Sequence, residues 1–432
     1  MAGPRREGPL RRGSATTTLD KVTPRGPSGT GANAVAVGRH NRDLVIAAIR
    51  AVPGVSRREV ADQLGLTPAA VSNIVQALRR EGLVEEAGQT LSSGGKPGAR
   101  LWLRPGARFA VGAHLDREEI AVAVVDLAGT ILWSETAVEP ASSPEAFLAV
   151  VAEHIRQAAT AAAGPGRHLA GVGVSCPGPL TTARDVLVNP PNLPGWRNVP
   201  LGAILGSSLG DLGPITIERD ANAAALGEQW AGGAGGFADF LFVYLGTGVG
   251  AGLVLDRRLY RGISGGAGSL GHVIVDRGGR VCACGARGCL ETVASQGGML
   301  EVAAELPARW RSRLGLSAGD QRIDEDYRLL AAAADGGDER AGAIFADAAD
   351  ALGTAMVSMA NLLDLDAMIL GGRGFWPQQE RFLDAVRQAV RTRPINPAAH
   401  NIDVRPATLG SLSAAVGAAV LALSGTVGPV VA

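Results

Sequence analysis

The chain has 432 residues, about three domains' worth at ~150 residues each, with 46% hydrophobic and 19% charged residues and zero formal charge. That balance excludes a mainly disordered protein, and four cysteines are too few for a disulfide scaffold. The zero hides an asymmetry, because up to Arg104 there are 16 Lys/Arg against 8 Asp/Glu and beyond it 25 against 33, so only the front part suits a polyanion such as DNA.

Residues 1–38, rich in Gly, Pro, Ser, Thr and Arg without hydrophobic periodicity, read as a flexible basic tail. Their arginines precede no apolar h-region, so no secretory signal is present and a cytoplasmic location is expected. Residues 39–104 read as a DNA-binding unit. Helical spacing of Leu44, Val45, Ala48 and Ile49 predicts a first helix over Asn41 to Ala51, closed by Pro53-Gly54. Ser56 with Glu59 forms a capping box for a second helix that Gly65 ends. Thr67 caps a third, with Pro68 at its first position, where the missing amide hydrogen costs nothing.

The inner face of that third helix is Val71, Ile74, Val75 and Leu78, and the outer face offers Ala69, Ser72, Asn73, Gln76 and Arg80. Small and amide side chains near a helix start fit the major groove, and arginines farther along reach phosphate. Thr67, Ala69, Ser72, Asn73, Gln76 and Arg80 are therefore candidate DNA contacts. Residues 82–104 read as two short strands around a Gly-rich turn, the wing of a winged helix-turn-helix, with Lys96 and Arg100 on DNA backbone or minor groove. The alternative is a small helical bundle without a ligand.

Residues 105–432 alternate strands and helices, the pattern of α/β layers. Strands are expected at 109–115, 120–126, 131–138, 170–174, 215–218, 240–245, 252–255, 273–275 and 367–370, and helices at 144–163, 325–335 and 338–363. After Arg405 no charged residue occurs; the Ala/Gly/Ser-rich tail reads as a buried helix, not a membrane span. Between two strands, Gly246, Thr247, Gly248 and Gly250 lie in a turn whose amides can approach a phosphate; a tight turn without ligand is the other reading. His272, Cys282, Cys284 and Cys289 supply one imidazole and three thiolates, a closed tetrahedral set for structural zinc. Cys176, apart from these, reads as a packed thiol.

Residues 109–425 resemble the ROK family of sugar kinases and sugar-responsive repressors. The resemblance rests on Gly173–Pro179, Pro191–Trp196, Asp220–Glu228, the 246–252 turn, Gly271-His272, the CxCGxxGCxE run from Cys282 to Glu291, and Ile369–Gly372, all in family order. It implies an actin-like, hexokinase-type fold of two α/β lobes with a sugar between them. Asp220 matches the proton-accepting Asp of catalytic members. The family's first phosphate loop, Asp-x-Gly-Gly-Thr, is replaced: His114 stands for the Asp, Asp116 and Arg117 for the glycines, Glu118 for the Thr, so two carboxylates are expected to face the phosphates.

The resemblance also assigns sugar contacts to Asp220, His272 and Glu291, with Asn192 as a further candidate. Arg219 stands where the family has Asn, and Ser269 where it has Glu. Asp220 and Glu291 as plain surface carboxylates, and His272 as a metal ligand alone, are the competing readings. The expectation is a transcriptional regulator, a repressor of carbohydrate genes relieved by a sugar, acting as a homodimer or homotetramer on paired operator half-sites. It is not expected to be an enzyme, Asp220 being a vestigial base. An ATP-dependent hexose kinase with an attached DNA-binding domain, and a DNA-binding scaffold without ligand, are the alternatives. Glucose, xylose, an N-acetyl sugar, a phosphorylated sugar and a small glycoside are all open as effector.

Overall fold

The computed structural model describes residues 30–89, 99–139, 143–181, 185–191, 193–317, 322–395 and 401–427. The chain divides into two compact units, Met1–Gly38 and Arg39–Ala432. The first helix, α1 (Thr30–Ala51), begins earlier than Asn41, so residues 30–38 are helical and not part of a tail. The alternating Ala and Val of 34–37, with the high helix propensity of alanine, favour this extension. The remainder of the expected tail, 1–29, lies outside the described residues.

Strand β1 (Val55–Ser56) leads into α2 (Arg57–Leu64), where Ser56 and Glu59 form the reciprocal cap and Gly65 closes the helix in the left-handed region. Helix α3 (Pro68–Arg80) starts on Thr67, whose Oγ1 accepts the Ala70 N–H at 3.2 Å. The wing strands β2 (Val84–Gln89) and β3 (Ala99–Leu103) join β1 in the order β1-β3-β2. The bundle alternative therefore fails.

The first lobe holds β4 (Arg108–Leu115), β5 (Glu119–Asp126), β6 (Ile131–Val138), α4 (Pro144–Ala162) and β7 (His168–Cys176). The small hairpin strands β8 (Leu180–Thr181), β9 (Val186–Leu187) and β10 (Val199–Pro200) follow, then α5 (Leu201–Leu209) and β11 (Ile215–Arg219). Helix α6 (Asp220–Trp230) crosses to the second lobe, which contains β12 (Phe240–Leu245), β13 (Val249–Leu255), β14 (Arg258–Leu259), α7 (Glu291–Ala294), α8 (Gln296–Ala304), α9 (Ala308–Leu314), α10 (Ile323–Asp335) and α11 (Glu339–Leu363). Strand β15 (Ala367–Gly371), α12 (Gln379–Thr392), β16 (Asp403–Pro406) and α13 (Ser413–Val427) complete the chain.

The two five-stranded sheets, β11-β7-β4-β5-β6 and β14-β13-β12-β15-β16, have the same topology: an antiparallel meander extended by two parallel strands. This duplication places the ends of β4, β11, β12 and β13 around one cleft. No strand forms at 273–275; only an isolated bridge joins Ile274 to Cys289, because this stretch belongs to the turn-rich cysteine loop. Helix α13 is buried against the first sheet and α6, as the tail reading expected. A Cβ at Gly112 or Gly173 would lie within 2 Å of a carbonyl oxygen of α13, so only glycine lets the helix backbone rest on the strands. Helix α11 is long and apolar enough to cross a membrane, yet its Ile344, Phe345, Ala348, Leu352 and Met356 face is buried in the second lobe.

Candidate sugar, metal and DNA sites

The cleft between the sheets contains a cavity of about 250 Å³ lined by Asp116, Arg219, Asp220, His272, Glu291 and the Thr247–Gly250 turn. Drug-sized ligands occupy roughly 300–1,000 Å³, so this space suits a small molecule of monosaccharide size. Asp220 enters because β11 ends at Arg219 and α6 begins on the next residue. Its Oδ1 accepts the Ala221 N–H at 2.7 Å. Burial pushes its pKa up to about 7; the Ala221 bond and Arg219 pull it back, and Asp116 and Glu218 push it further.

Glu291, the first residue of α7, accepts the Val249 N–H at 3.0 Å and so fastens the glycine turn to the cysteine loop. Arg219 reaches from the strand end to the Ala267 carbonyl and to Asn222 Oδ1 at 3.4 Å, bridging the cavity rim. Ser269 Oγ donates to the Gly266 carbonyl at 2.9 Å. The structure thus brings Asp220, His272 and Glu291 around one cavity, so neither acid is a plain surface carboxylate. Asn192 lies outside the described residues. Asp116 is buried and lines this cavity together with the Thr247–Gly250 turn.

The ligand atoms of His272, Cys282, Cys284 and Cys289 all lie within 4.8 Å of one another. Cys282 Sγ is 3.6 Å from His272 Nδ1, and the Sγ atoms of Cys284 and Cys289 are 3.7 Å apart. Tetrahedral zinc with ~2.3 Å bonds to sulfur requires S···S edges of about 3.8 Å, so the residues fit that ion. With Nδ1 turned to the thiolates, the same imidazole lines the sugar-sized cavity. Cys176 is buried, and burial pushes its thiol far up, as a packed thiol requires.

The first-loop side chains His114 and Glu118 are engaged by groups of the protein itself. His114 is buried between the sheets, with Nδ1 3.2 Å from Ser175 Oγ and Nε2 3.0 Å from Tyr244 Oη. Burial holds its pKa below the ordinary imidazole value, so the neutral ring links the lobes. Glu118 turns away and accepts the N–H groups of Ile323 and Asp324 at 3.2 and 3.4 Å, at the start of α10. There its charge meets the positive end of the helix dipole. Arg373, after β15, pairs with Asp324 and with Glu119 at 3.6 Å. Tyr244, Glu119 and Arg373 were not singled out in the sequence; a tyrosine closing the apolar strand Phe240–Leu245 was the available hint. Of the second turn, Gly246 N–H is bound to the Gly248 carbonyl at 2.9 Å, and Thr247 also borders a neighbouring cavity of about 570 Å³ containing Arg117, Arg311 and Asp326.

On α3, Val71, Val75 and Leu78 are buried, whereas Thr67, Ala69, Asn73, Gln76 and Arg80 are exposed and Ser72 is half-buried. One face is therefore free for DNA. Lys96 lies outside the described residues. Arg100 is exposed, and its Nη1 donates to the Gly54 carbonyl at 2.9 Å. Arg57 and Arg79 both pair with Glu86 of the wing, which fixes the wing against α2 and α3.

Residues 110–424 match the ROK family and residues 44–90 the MarR family. A xylose repressor from Caldicellulosiruptor bescii is 28% identical over 387 residues, 89% of this chain and 95% of the relative. A solved ROK family transcriptional regulator, described as a homologue of the E. coli MLC protein, superimposes with a TM-score of 0.72 at 22% identity, covering 91% of this chain and 98% of its own. A ROK family glucokinase from Streptomyces griseus, solved with glucose and AMPPNP, aligns with a TM-score of 0.59 at 30% identity, covering 72% and 98%. The chain belongs to the ROK family, with a MarR-type winged-helix DNA-binding domain ahead of its two-lobed sugar-kinase-type domain.

Proposed function

We propose that the protein is a sugar-responsive DNA-binding repressor of carbohydrate genes, acting in the cytoplasm as a homodimer or homotetramer. The observation that carries this reading is the pairing of an exposed recognition face on α3 with a cavity of about 250 Å³ that gathers Asp220, His272 and Glu291. Ionised carboxylates accept two hydroxyl hydrogens each in directed geometry, which suits a polyol. Xylose joins glucose at the head of the effector candidates, since relatives named xylose repressor span both domains. Thr67, Ala69, Ser72, Asn73, Gln76, Arg80 and Lys96 are assigned to DNA, and Asn192 completes the sugar set.

His272, Cys282, Cys284 and Cys289 would hold a zinc ion, which would supply a fixed fold to the loop beside the sugar. The chain's own part is to orient His272, whose ring serves thiolates on one side and cavity on the other. Kinase activity is assigned to none of these residues. Phosphoryl transfer needs the γ-phosphoryl held in line beside the base, and the loop that holds it in family kinases carries His114, Asp116, Arg117 and Glu118 here. The Gly246, Thr247, Gly248 and Gly250 turn is a remnant of the second phosphate loop.

The test is fluorescence anisotropy of the protein on its own upstream DNA at fixed salt, repeated with xylose, glucose, N-acetylglucosamine, glucose 6-phosphate and a methyl glycoside. Salt is fixed because phosphate contacts dominate affinity. Release by one sugar is the expected result; tight binding indifferent to all of them overturns the sensor reading in favour of a DNA-binding scaffold.

A further inference from the structure

One helix runs from the sugar cavity to the DNA-binding domain. Helix α6 begins with Asp220 in the cavity and ends, ~16 Å away at 1.5 Å per residue, with Trp230. There Arg50 of α1 lies over the indole, 3.5 Å from its centroid, and donates through Nη1 to the Trp230 carbonyl at 2.6 Å. Burial lowers the Arg50 pKa to about 10, which still leaves the guanidinium charged at neutral pH. A cation held over an indole and bonded to the last carbonyl of a helix gains from the ring quadrupole and from the helix dipole together.

The helix has little in it that can yield. Every residue from Ala221 to Trp230 is buried, and half of the side chains are methyl groups or a hydrogen. Its contact with α13 is backbone against backbone: a Cβ on Gly417 would lie 1.6 Å from the Ala223 carbonyl oxygen, and one on Gly227 would lie 2.3 Å from that of Ser413. The Glu228 carboxylate, fully buried, accepts from the N–H groups of Gly233, Thr408 and Leu409 and from the hydroxyls of Thr408 and Ser413. A close-packed body of this kind transmits a displacement instead of absorbing it. Around the joint, Val45, Ile49, Trp230, Val416 and Val420 share one hydrophobic core.

We infer that α6 carries the state of the sugar cavity to the DNA-binding domain, and that the Arg50–Trp230 contact is the joint through which it does so. This rests on the sensor reading above. Arg50 is a positioning residue: it touches neither the cavity nor the exposed face of α3. A sugar that binds one arrangement of Asp220 better than the other shifts the joint by that difference in affinity and no more.

The experiment measures operator anisotropy with and without the sugar panel for wild type, Arg50→Ala, Arg50→Lys and Trp230→Phe, with sugar affinity of each measured separately by calorimetry. The expected result is wild-type release by a sugar, with Arg50→Ala keeping operator and sugar affinities within about threefold while release is lost. Trp230→Phe retains a ring and the carbonyl, and recovers part of the release; it also serves if the alanine variant does not fold. Variants released as readily as wild type overturn the relay while leaving the sensor reading intact. A wild type that no sugar releases overturns the sensor reading. The relay is then decided by the double-mutant cycle of Asp220→Asn with Arg50→Ala on operator affinity alone. Sites this far apart ordinarily add to within about twofold, so non-additivity beyond about threefold supports the relay and additivity overturns it.

Discussion

The two halves of the interlobe cleft carry similar numbers of charged groups and use them in opposite ways. On the first-loop side, Glu118 is spent on the α10 amides, Glu119 and Asp324 on Arg373, and His114 on Ser175 and Tyr244. On the other side, Asp220, His272 and Glu291 converge on an open cavity, which Asp116 of the first loop also lines. The His114 and Glu118 side chains thus tie one lobe to the other. The difference teaches that side chains that tie the lobes together and side chains that line the cavity are separate features of one cleft, and each can be broken separately.

The largest expected effect lies at the metal loop, which borders the open half. Cys282→Ser removes a thiolate from a four-ligand set whose binding energy is folding energy, so zinc content and sugar response are expected to be lost together. An intact response in zinc-free protein would falsify that coupling. On the closed half, Arg373→Ala leaves Glu119 and Asp324 buried without their cation, an arrangement that costs about 3–5 kcal/mol. Chemical denaturation should register it as a lowered midpoint, and an unchanged midpoint would show that these pairs are not what joins the lobes.

A smaller effect separates binding from stability. Glu291→Gln is expected to weaken sugar by about 10–100-fold, the range for a lost hydrogen bond to a charged group, while operator affinity without sugar stays as in wild type. Calorimetry and anisotropy on the same sample check both, and a loss of operator affinity would mean the residue is structural. The smallest effect concerns pH. Asp220 has its folded pKa raised to about 7 from the ordinary 3.8, so the stability tied to its protonated form is complete below the unfolded value and is lost as pH rises through about 7. Asp220→Asn should therefore melt about 1 °C higher at pH 8, as ~1 kcal/mol would give in a chain of this length, with the gain vanishing at pH 4. Sugar affinity of the wild type should rise over the same interval, as the carboxylate ionises. Melting curves that shift equally at both pH values would exclude this assignment.

Much of the architecture was legible in local sequence. Ser56, Glu59, Gly65, Thr67 and Pro68 mark helix ends by chemistry confined to four or five residues, and the structure places each cap where that chemistry requires. The cysteine spacing likewise fixes its own loop. What was not legible depends on partners distant in the chain. Glu118 meets α10 and Arg373 meets Glu119 across more than 200 residues; Arg50 meets Trp230 across 180; no periodicity reports such pairs. Strand β1 is two residues long, too short for alternation to show. The expected strand at 273–275 failed because three β-branched apolar residues suit an extended loop as well as a sheet.

The contrast between the halves is tested most directly by titrating the protein calorimetrically with the sugar that releases it and with Mg-ATP, alongside an ADP-release assay on the sugar-bound protein. Saturable sugar binding with no Mg-ATP heat and no ADP release above blank is the predicted result. Turnover on the ~1–100 per second scale of kinases would contradict the account and make Asp220 a working base.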